Sequence, residues 1–475
     1  MDEIYMVQQI RENIPFKKRC DVMPKRYKVE FFDQNEPIMY YPANFGLEED
    51  PKRIAFGSNI VDADCKQQPY DRNTLSISSA LAELLQIPEF IKTLYAFENS
   101  DQLLLGPLVG IFSSGFTPFQ ENPIGERSEL FTKLLSVQSS VGVVPFLFGE
   151  QHIDWEKGQI EGFFQGNSGW ETRNVPFPNV IYDRLPNRKS ESTQGSREVK
   201  EKLEKDYLIP WYNPGFFSKL DVYEHLFQDE KVAEYLPDTS PFVSYHQVEQ
   251  MLSRYGHVYV KPINGSLGLG IHQIIYDRQK AAYYCKFHDT ENRLLKYPTL
   301  EQLMDRVFRN KQLDRMIIQQ GIDLIRYQHR PVDFRVHANK DTKGAWKISA
   351  IAAKVAGVGS PTTHIKNGGT IKTIDELFAD SGLKRQLKEG LETAALEIAV
   401  SLEENLNGII GEIGFDFGID SDGHIWLFEA NSKPGRSIFS HPELKEFDIL
   451  TRRLSLAYSV YLTDRWLHTP EELFT

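Results

Sequence analysis

Disulfides, metal fingers and membrane spans have almost nothing to be built from in this chain. Its 475 residues hold three cysteines, Cys20, Cys65 and Cys285. They lie far apart and form no CxxC pair, which excludes a disulfide framework and a zinc-finger arrangement. No apolar run approaches the roughly 18–20 residues that cross a bilayer. The start, Met1-Asp-Glu-Ile-Tyr, lacks the basic and apolar regions of a signal peptide, so synthesis in the reducing cytoplasm is expected. Positive charge is in deficit as well. The net charge of −12 argues against a binder of nucleic-acid backbone, though a local basic cleft stays open. The histidines are scattered with no HExxH, and there is no nucleophile elbow and no Gly-Lys-Ser/Thr of a Walker loop. Asp416-Phe-Gly418 spells the kinase triplet, but no HRD-type loop precedes it. Internal repeats and low-complexity tracts are missing too.

What is present is the composition of a soluble globular protein, 41% hydrophobic and 25% charged, long enough for roughly two to four structural units. Up to about Glu98 the chain reads as β-rich: Tyr27-Lys-Val-Glu-Phe-Phe alternates, and Leu75-Ser-Ile-Ser-Ser precedes a short helical pattern from Ala80 to Leu85. Leu103 to Phe112 reads as one buried strand, followed by an amphipathic helix around Glu129 to Val137 and a second strand from Val143 to Gly149, together a βαβ unit. Ile153 to Phe164 suggests a hairpin, and Val180 to Pro186 closes this part. Asn187 to Asp206 is a polar surface loop or an exposed helix start. Near the end, Leu383, Leu387, Leu391, Ala394, Ala395, Ile398, Leu402 and Leu406 recur at helical spacing and mark a long packed helix.

The most informative stretch is Gly411 to Asp420 followed by Ile425 to Arg436, two short strands joined by Ser421-Asp422-Gly423. Residues two apart on a strand share a face, so Glu429 and Asn431 project together, and pairing of the hairpin brings Asp416 beside them. Two carboxylates and an amide form a hard oxygen-only site suited to Mg²⁺. The plain alternative is a pair of solvated acids on an open hairpin face. Against it stands Asn431-Ser-Lys-Pro-Gly-Arg436, where the turn places Lys433 and Arg436 as anion ligands.

A second stretch, Val258 to Ile271, delivers Lys261 from a strand into a loop with Gly265, Gly268 and Gly270. Glycines let backbone N–H groups approach phosphate closely, although an ordinary turn has the same composition. Met316 to Ile322 reads as a strand whose exposed backbone serves an adenine edge. Asp333 and Arg335 share a strand face, either as ribose and phosphate ligands or as an ordinary cross-strand ion pair.

In this order the elements resemble the ATP-grasp superfamily: a strand lysine with a glycine-rich lid, an adenine hinge, a D-x-R strand, then D…E-x-N-x-x-P-G. More narrowly the chain looks like the YheC/YheD family of endospore coat-associated proteins, through Gly106-Pro-Leu-Val-Gly-Ile, Pro176 to Arg184, Asn213-Pro-Gly-Phe-Phe-Ser-Lys219 and Asn431 to Arg436. The likeness covers most of the chain, strongly from about Trp211. It implies an α/β (α+β) chain with an ATP-grasp fold, two subdomains clasping ATP over 211–475 with a lid at about 242–320. A pre-ATP-grasp α/β domain at 99–210 and a small β-rich module at 1–98 would precede it.

The resemblance also implies site residues. Lys219 and Lys261 match phosphate lysines, and Ser266, Leu267 and Gly268 the flap over the phosphates. Gln319, Gln320 and the Ile322 backbone match the adenine hinge, with Asp333 near ribose. Arg335, Lys354 and Arg436 match the catalytic cations, Asn367-Gly-Gly369 the loop closing the acceptor side, and Asp416, Glu429 and Asn431 the ligands of two Mg²⁺ ions, with Glu429 bridging. Lys354 stands where related sequences often carry arginine, and a lysine lacks the bidentate fork. The implied activity is an ATP- and Mg²⁺-dependent carboxylate–amine ligase acting through an acylphosphate. The alternatives are a nucleotide-binding structural or interaction protein of the spore coat, and a kinase acting on a small polyol. The implied partners are small-molecule or peptide carboxylates and amines, and other coat proteins. Many relatives by fold form dimers, which leaves a homodimer open. Specificity is expected around Trp155 to Trp170 and near His364 and Arg436.

Overall fold

The computed structural model describes residues 24–47, 49–68, 72–166, 169–265 and 269–474. Four sheets organise them. The alternating strand Lys25–Phe32 lies inside the first, an eight-stranded sheet that also takes in Gln102–Gly106. Its apolar face packs under the helix Ser79–Leu85, started by the Ser78 hydroxyl accepting the Leu81 N–H. The segment read as one strand from Leu103 to Phe112 is two: Gln102–Gly106 belongs to the first sheet and Leu108–Phe112 to the second. Between them Pro107 has no N–H to continue a ladder. The first sheet therefore runs past Glu98 to Gly106.

The second sheet has a parallel centre in which Val144–Phe148, Leu108–Phe112, Val180–Asp183 and Trp211–Tyr212 lie side by side, as the βαβ reading expects. The hairpin is present as Ile153–Asp154 with Gln159–Gly166, and a further strand, Gly169–Pro176, extends it. The polar stretch after Asn187 is helical, Arg188–Glu191 and then Gln194–Glu201, each capped by its preceding Asn187 or Thr193 side chain.

The third sheet is antiparallel and carries the glycine-rich loop between His257–Pro262 and His272–Asp277. The flap residues Ser266, Leu267 and Gly268 lie outside the described residues. Helices Tyr245–Tyr255 and Leu300–Phe308 bury Val248, Leu252, Leu303 and Phe308 against this sheet. The fourth sheet runs Thr370–Lys372, Trp346–Val355, Arg330–Lys340, Glu412–Ile419, Ile425–Asn431. One face packs on the helix Ser381–Asn405 through Leu391, Ala395 and Ile398, the long helix its periodicity predicts. The helix Lys445–His468 contacts the other face. It also buries Leu456, Tyr458 and Val460 with Val109, Ile111 and Tyr212 of the second sheet, joining the two sheets in one core.

Candidate nucleotide and metal site

The fourth sheet lines up a row of charges by register alone. Lys354 is opposite Asp333, Arg335 opposite Asp416, and Asp416 opposite Glu429. The residues between them, Val332, Phe334, Val336, Phe415 and Phe417, point the other way into the core. The hairpin Glu412–Ile419 with Ile425–Asn431 forms as the sequence indicates, with one irregularity: Asp416 pairs with Glu429 while Phe417 pairs with Leu427. Phe428 is the extra residue of a bulge. Its ring covers Gly418, where a Cβ would come within 2.4 Å of it.

These acids are not solvated. Asp416 accepts a two-pronged contact from Arg335, Nε at 2.9 Å and Nη2 at 2.7 Å, and a third hydrogen bond from Lys354 Nζ at 2.8 Å. Lys354 is also 3.0 Å from Asp333, whose other oxygen accepts the Thr363 hydroxyl. Glu429 is paired with Lys219, the first residue of the helix Lys219–Gln228 behind its Ser218 cap. Burial works against ionisation of both aspartates, but Arg335 and Lys354 together hold Asp416 well below the usual carboxylate range. Burial dominates at Asp333, and with Asp416 beside it Lys354 does not compensate, so its pKa rises. Two carboxylates sharing one ammonium separate in this way. Burial lowers and the two aspartates raise the Lys354 ammonium, with a net rise.

The third sheet closes over the row. Lys261, on His257–Pro262, donates to Gln319 Oε1 at 2.8 Å and lies 3.5 Å from the carbonyl oxygen of the bulged Phe428. Gln319 Nε2 in turn donates to Thr239 Oγ1 at 2.9 Å. Burial, and next the charge of Lys219, push the Lys261 pKa down to about 7. Lys219, Thr239, Lys261, Gln319 and Glu429 line a cleft of about 390 Å³ including its open mouth, with Leu427 and Ile317 as apolar walls. Apolar walls with a few convergent charged and polar groups are the lining found in small-ligand sites. Loop Ile365–Asn367 is tied in from the side, because Asn367 Nδ2 donates to Thr362 Oγ1 at 2.9 Å and the neighbouring Thr363 reaches Asp333.

Three expectations need correction. The strand Met316–Gln320 has no exposed edge, since Thr239–Pro241 pairs on one side and His257–Pro262 on the other. Gln319 turns its amide to Lys261, and Gln320 Oε1 accepts the Asp238 N–H at 3.0 Å. The Gly321 N–H still donates to the His257 carbonyl at 3.0 Å, and only the backbone from Ile322 onward leaves the sheet. Lys433 is no free anion ligand: its side chain is 2% exposed and its ammonium lies 2.6 Å from Asp183. Arg436 does not join the acid row; its guanidinium reaches Glu412 at 3.4 Å and Ser455 Oγ at 3.0 Å. Asn431 is half-buried, opposite Gly414 and two residues from Glu429. Sequence reasoning missed Thr363, which reaches the row from a loop with no periodicity to announce it. It also missed Asp183 and Glu412, whose partners are remote in the chain.

Asp416, Glu429 and Asn431 offer two carboxylates and an amide oxygen on neighbouring strands, and the charge on Asp416 is kept in place by two cations. That donor chemistry fits Mg²⁺, a hard ion that takes few protein carboxylates beside phosphate oxygens. Among the described residues no helix is long and apolar enough to cross a membrane.

Comparison with known proteins gives the family. The chain is 38% identical over 454 residues to the endospore coat-associated protein YheD of Bacillus subtilis (strain 168), covering 95% of this chain and 99% of that one. It is 24% identical over 288 residues to the endospore coat-associated protein YheC of the same organism, covering 60% and 78%. Among solved structures it resembles the D-alanine–D-alanine ligase from Coxiella burnetii at 13% identity and a TM-score of 0.42, covering 78% of this chain and 97% of that one, a likeness too loose to bear on activity. Residues 208–462 match the domain described as YheC/D like ATP-grasp. With an ATP-grasp fold and a near full-length relative in YheD, the chain belongs to the YheC/D-like ATP-grasp family.

Proposed function

We propose that the cleft binds ATP with Mg²⁺ and that the protein is a carboxylate–amine ligase working through an acylphosphate, associated with the endospore coat like its named relatives. The observation that carries this reading is the register row, in which Arg335, Asp416 and Glu429 stand abreast under Lys261. Asp416, Glu429 and Asn431 would hold the metal, which supplies charge neutralisation for phosphate oxygens. Lys219 and Lys261 hold phosphate groups, and the Ile322 backbone meets the base beyond the end of the hinge strand. Arg335 holds the acceptor carboxylate, or the charge developing beside it, while Lys354 fixes Asp333 and Asp416. The acceptor carboxylate oxygen attacks the terminal phosphorus and ADP leaves. An amine then attacks the acyl carbon, phosphate leaves, and the amine proton passes to solvent. No side-chain nucleophile is required, so the acceleration rests on positioning and charge.

The test is Glu429→Gln, which keeps the shape and removes a charge. ADP release should fall about 10²–10³-fold, the usual loss when one charge-stabilising group is removed. Undiminished turnover would remove the site assignment. A second reading has one observation in its favour: Asp416 and Glu429 already have cationic partners in the folded chain. A coat protein that binds nucleotide without catalysis would share that arrangement. ADP release that depends on an added acceptor separates the two.

A further inference from the structure

His337 follows Arg335 by two residues on the same face of Arg330–Lys340. It is 0% exposed, and neither ring nitrogen has a hydrogen-bond partner among the described residues. Burial, then Arg335 and Arg436, keep it neutral by pushing its pKa well below the ordinary imidazole value. A neutral imidazole still carries one N–H donor and one acceptor, and buried polar groups are rarely left unpaired.

Three cations and one acid, Asp416, act on His337. The charges of Arg335, Arg436 and Arg184 act on it directly, Arg127 stands next to Arg184, and Arg452 next to Arg436. Arg184 and Arg436 side chains are only 10% and 7% exposed. Arg184 Nη1, Arg436 Nη1 and Arg452 Nε are all buried without a hydrogen-bond partner among the described residues. The acids paired with these guanidiniums are Glu412, 3.9 Å from Arg184 and 3.4 Å from Arg436, and Asp448, which pairs with Arg452 and lies 3.8 Å from Arg436. Asp183 also acts on Arg184, and Glu129 on Arg452. Glu412 is also engaged by the Tyr182 hydroxyl. Thus Arg127, Arg184, Arg436 and Arg452 face Glu412, Asp448, Asp183 and Glu129, and what marks the cluster is its unmet buried donors: Arg184 Nη1, Arg436 Nη1, Arg452 Nε and the His337 ring.

Its place in the fold points the same way. Arg184 follows the strand Val180–Asp183, and Ser113 follows its parallel neighbour Leu108–Phe112. Arg127 donates to Ser113 Oγ at 3.0 Å and to the Ser114 carbonyl, while Ser113 Oγ donates to the Arg184 carbonyl at 2.9 Å. From Leu108–Phe112 the chain goes to Val144–Phe148 on one side and to Val180–Asp183 on the other. The crevice between the first and last of these is the switch point at which open α/β sheets take ligands.

We propose that this crevice is a second anion site, which grips a compact oxyanion of the acceptor substrate through Arg184, Arg436 and His337. The acceptor is therefore at least a dianion, with one carboxylate activated beside Arg335 and a carboxylate or phosphate group anchored in the crevice. This rests on the ligase reading and names its substrate class. Guanidinium forks and an imidazole N–H match the lone pairs of such a group.

Calorimetric titration of the full chain with inorganic phosphate and with tricarballylate, each with and without saturating ADP and Mg²⁺, tests it. The expected result is affinity for at least one anion that survives saturation with ADP. Phosphate alone marks a phosphorylated acceptor, and tricarballylate alone a polycarboxylate. Arg184→Met and His337→Phe should each weaken that affinity about tenfold or more, as expected for loss of a charge-assisted or buried hydrogen bond, with ADP affinity retained as proof of folding. No affinity for either anion in a protein that binds ADP, affinity abolished by ADP, or affinity unchanged in both variants overturns the inference while leaving the ligase reading intact. Anion binding without any ADP binding overturns the ligase reading instead.

Discussion

Arg335 and Asp416 face each other across neighbouring strands and meet through two hydrogen bonds of 2.9 and 2.7 Å, with both side chains 15% exposed or less. A buried pair of this kind costs desolvation to form, and removing one partner is worse than removing both. Arg335→Met should lower the unfolding free energy by about 3 kcal/mol, and Arg335→Met with Asp416→Leu should cost less than the sum of the single changes by about 1 kcal/mol or more. Urea unfolding of the three variants measures this. Because the Asp416 pKa is depressed, the contribution is complete above the unfolded aspartate value of about 3.9 and disappears as pH falls below it. Additive losses would mean the two side chains act separately.

Lys261 should make nucleotide binding pH-dependent. Its pKa of about 7 reflects burial, and a bound phosphate would raise it by favouring the ammonium. Affinity is then greatest below pH 7 and falls with rising pH by up to about tenfold per unit until the bound-state pKa is passed. Calorimetry in buffers of different ionisation heat should show uptake of about half a proton at pH 7, more at pH 8, and none from this source in Lys261→Met. Affinity that is flat from about pH 6 to about pH 9 would contradict the assignment.

Asn213 joins the second sheet to the fourth. Its backbone has φ of 55°, a left-handed conformation that asparagine tolerates better than most residues. Its Nδ2 donates to the Glu412 carbonyl at 2.7 Å and to the Ser432 carbonyl, and its Oδ1 accepts the Gly411 N–H at 3.0 Å. Asn213→Ala should cost about 3 kcal/mol through these unmade bonds. Asn213→Gly should be less harmful by about 1 kcal/mol, because glycine accepts the backbone angle. Thermal and urea unfolding compare them, and a loss below about 0.5 kcal/mol for alanine, the size of an ordinary surface substitution, would contradict this role of its three bonds.

The hairpin was legible because strand period and a Ser-Asp-Gly turn fix the two strands and put Glu429 and Asn431 on one face. The bulge at Phe428 is what sets Asp416 opposite Glu429; an unbulged register would set it against Phe428. The helix Ser381–Asn405 was legible through its apolar spacing. What escaped depends on partners far away in the chain. Lys433 and Arg436 look like free cations until Asp183 and Glu412 are folded against them. Whether Met316–Gln320 is an edge or a centre depends on two other strands, which a single strand cannot reveal. The split at Pro107 hid inside a continuous apolar run, where hydrophobicity outweighed the missing N–H. The bulge at Phe428 turns a carbonyl toward Lys261 and has no signal in composition.

The most direct test is calorimetric titration of ADP into the full chain, with Mg²⁺ present and then chelated. Binding that weakens when Mg²⁺ is removed, and that is largely lost in Lys261→Met, is the expected result. No measurable affinity at millimolar Mg²⁺, or affinity indifferent to Mg²⁺ and to Glu429→Gln alike, would contradict the claim that the row under Lys261 is a nucleotide and metal site.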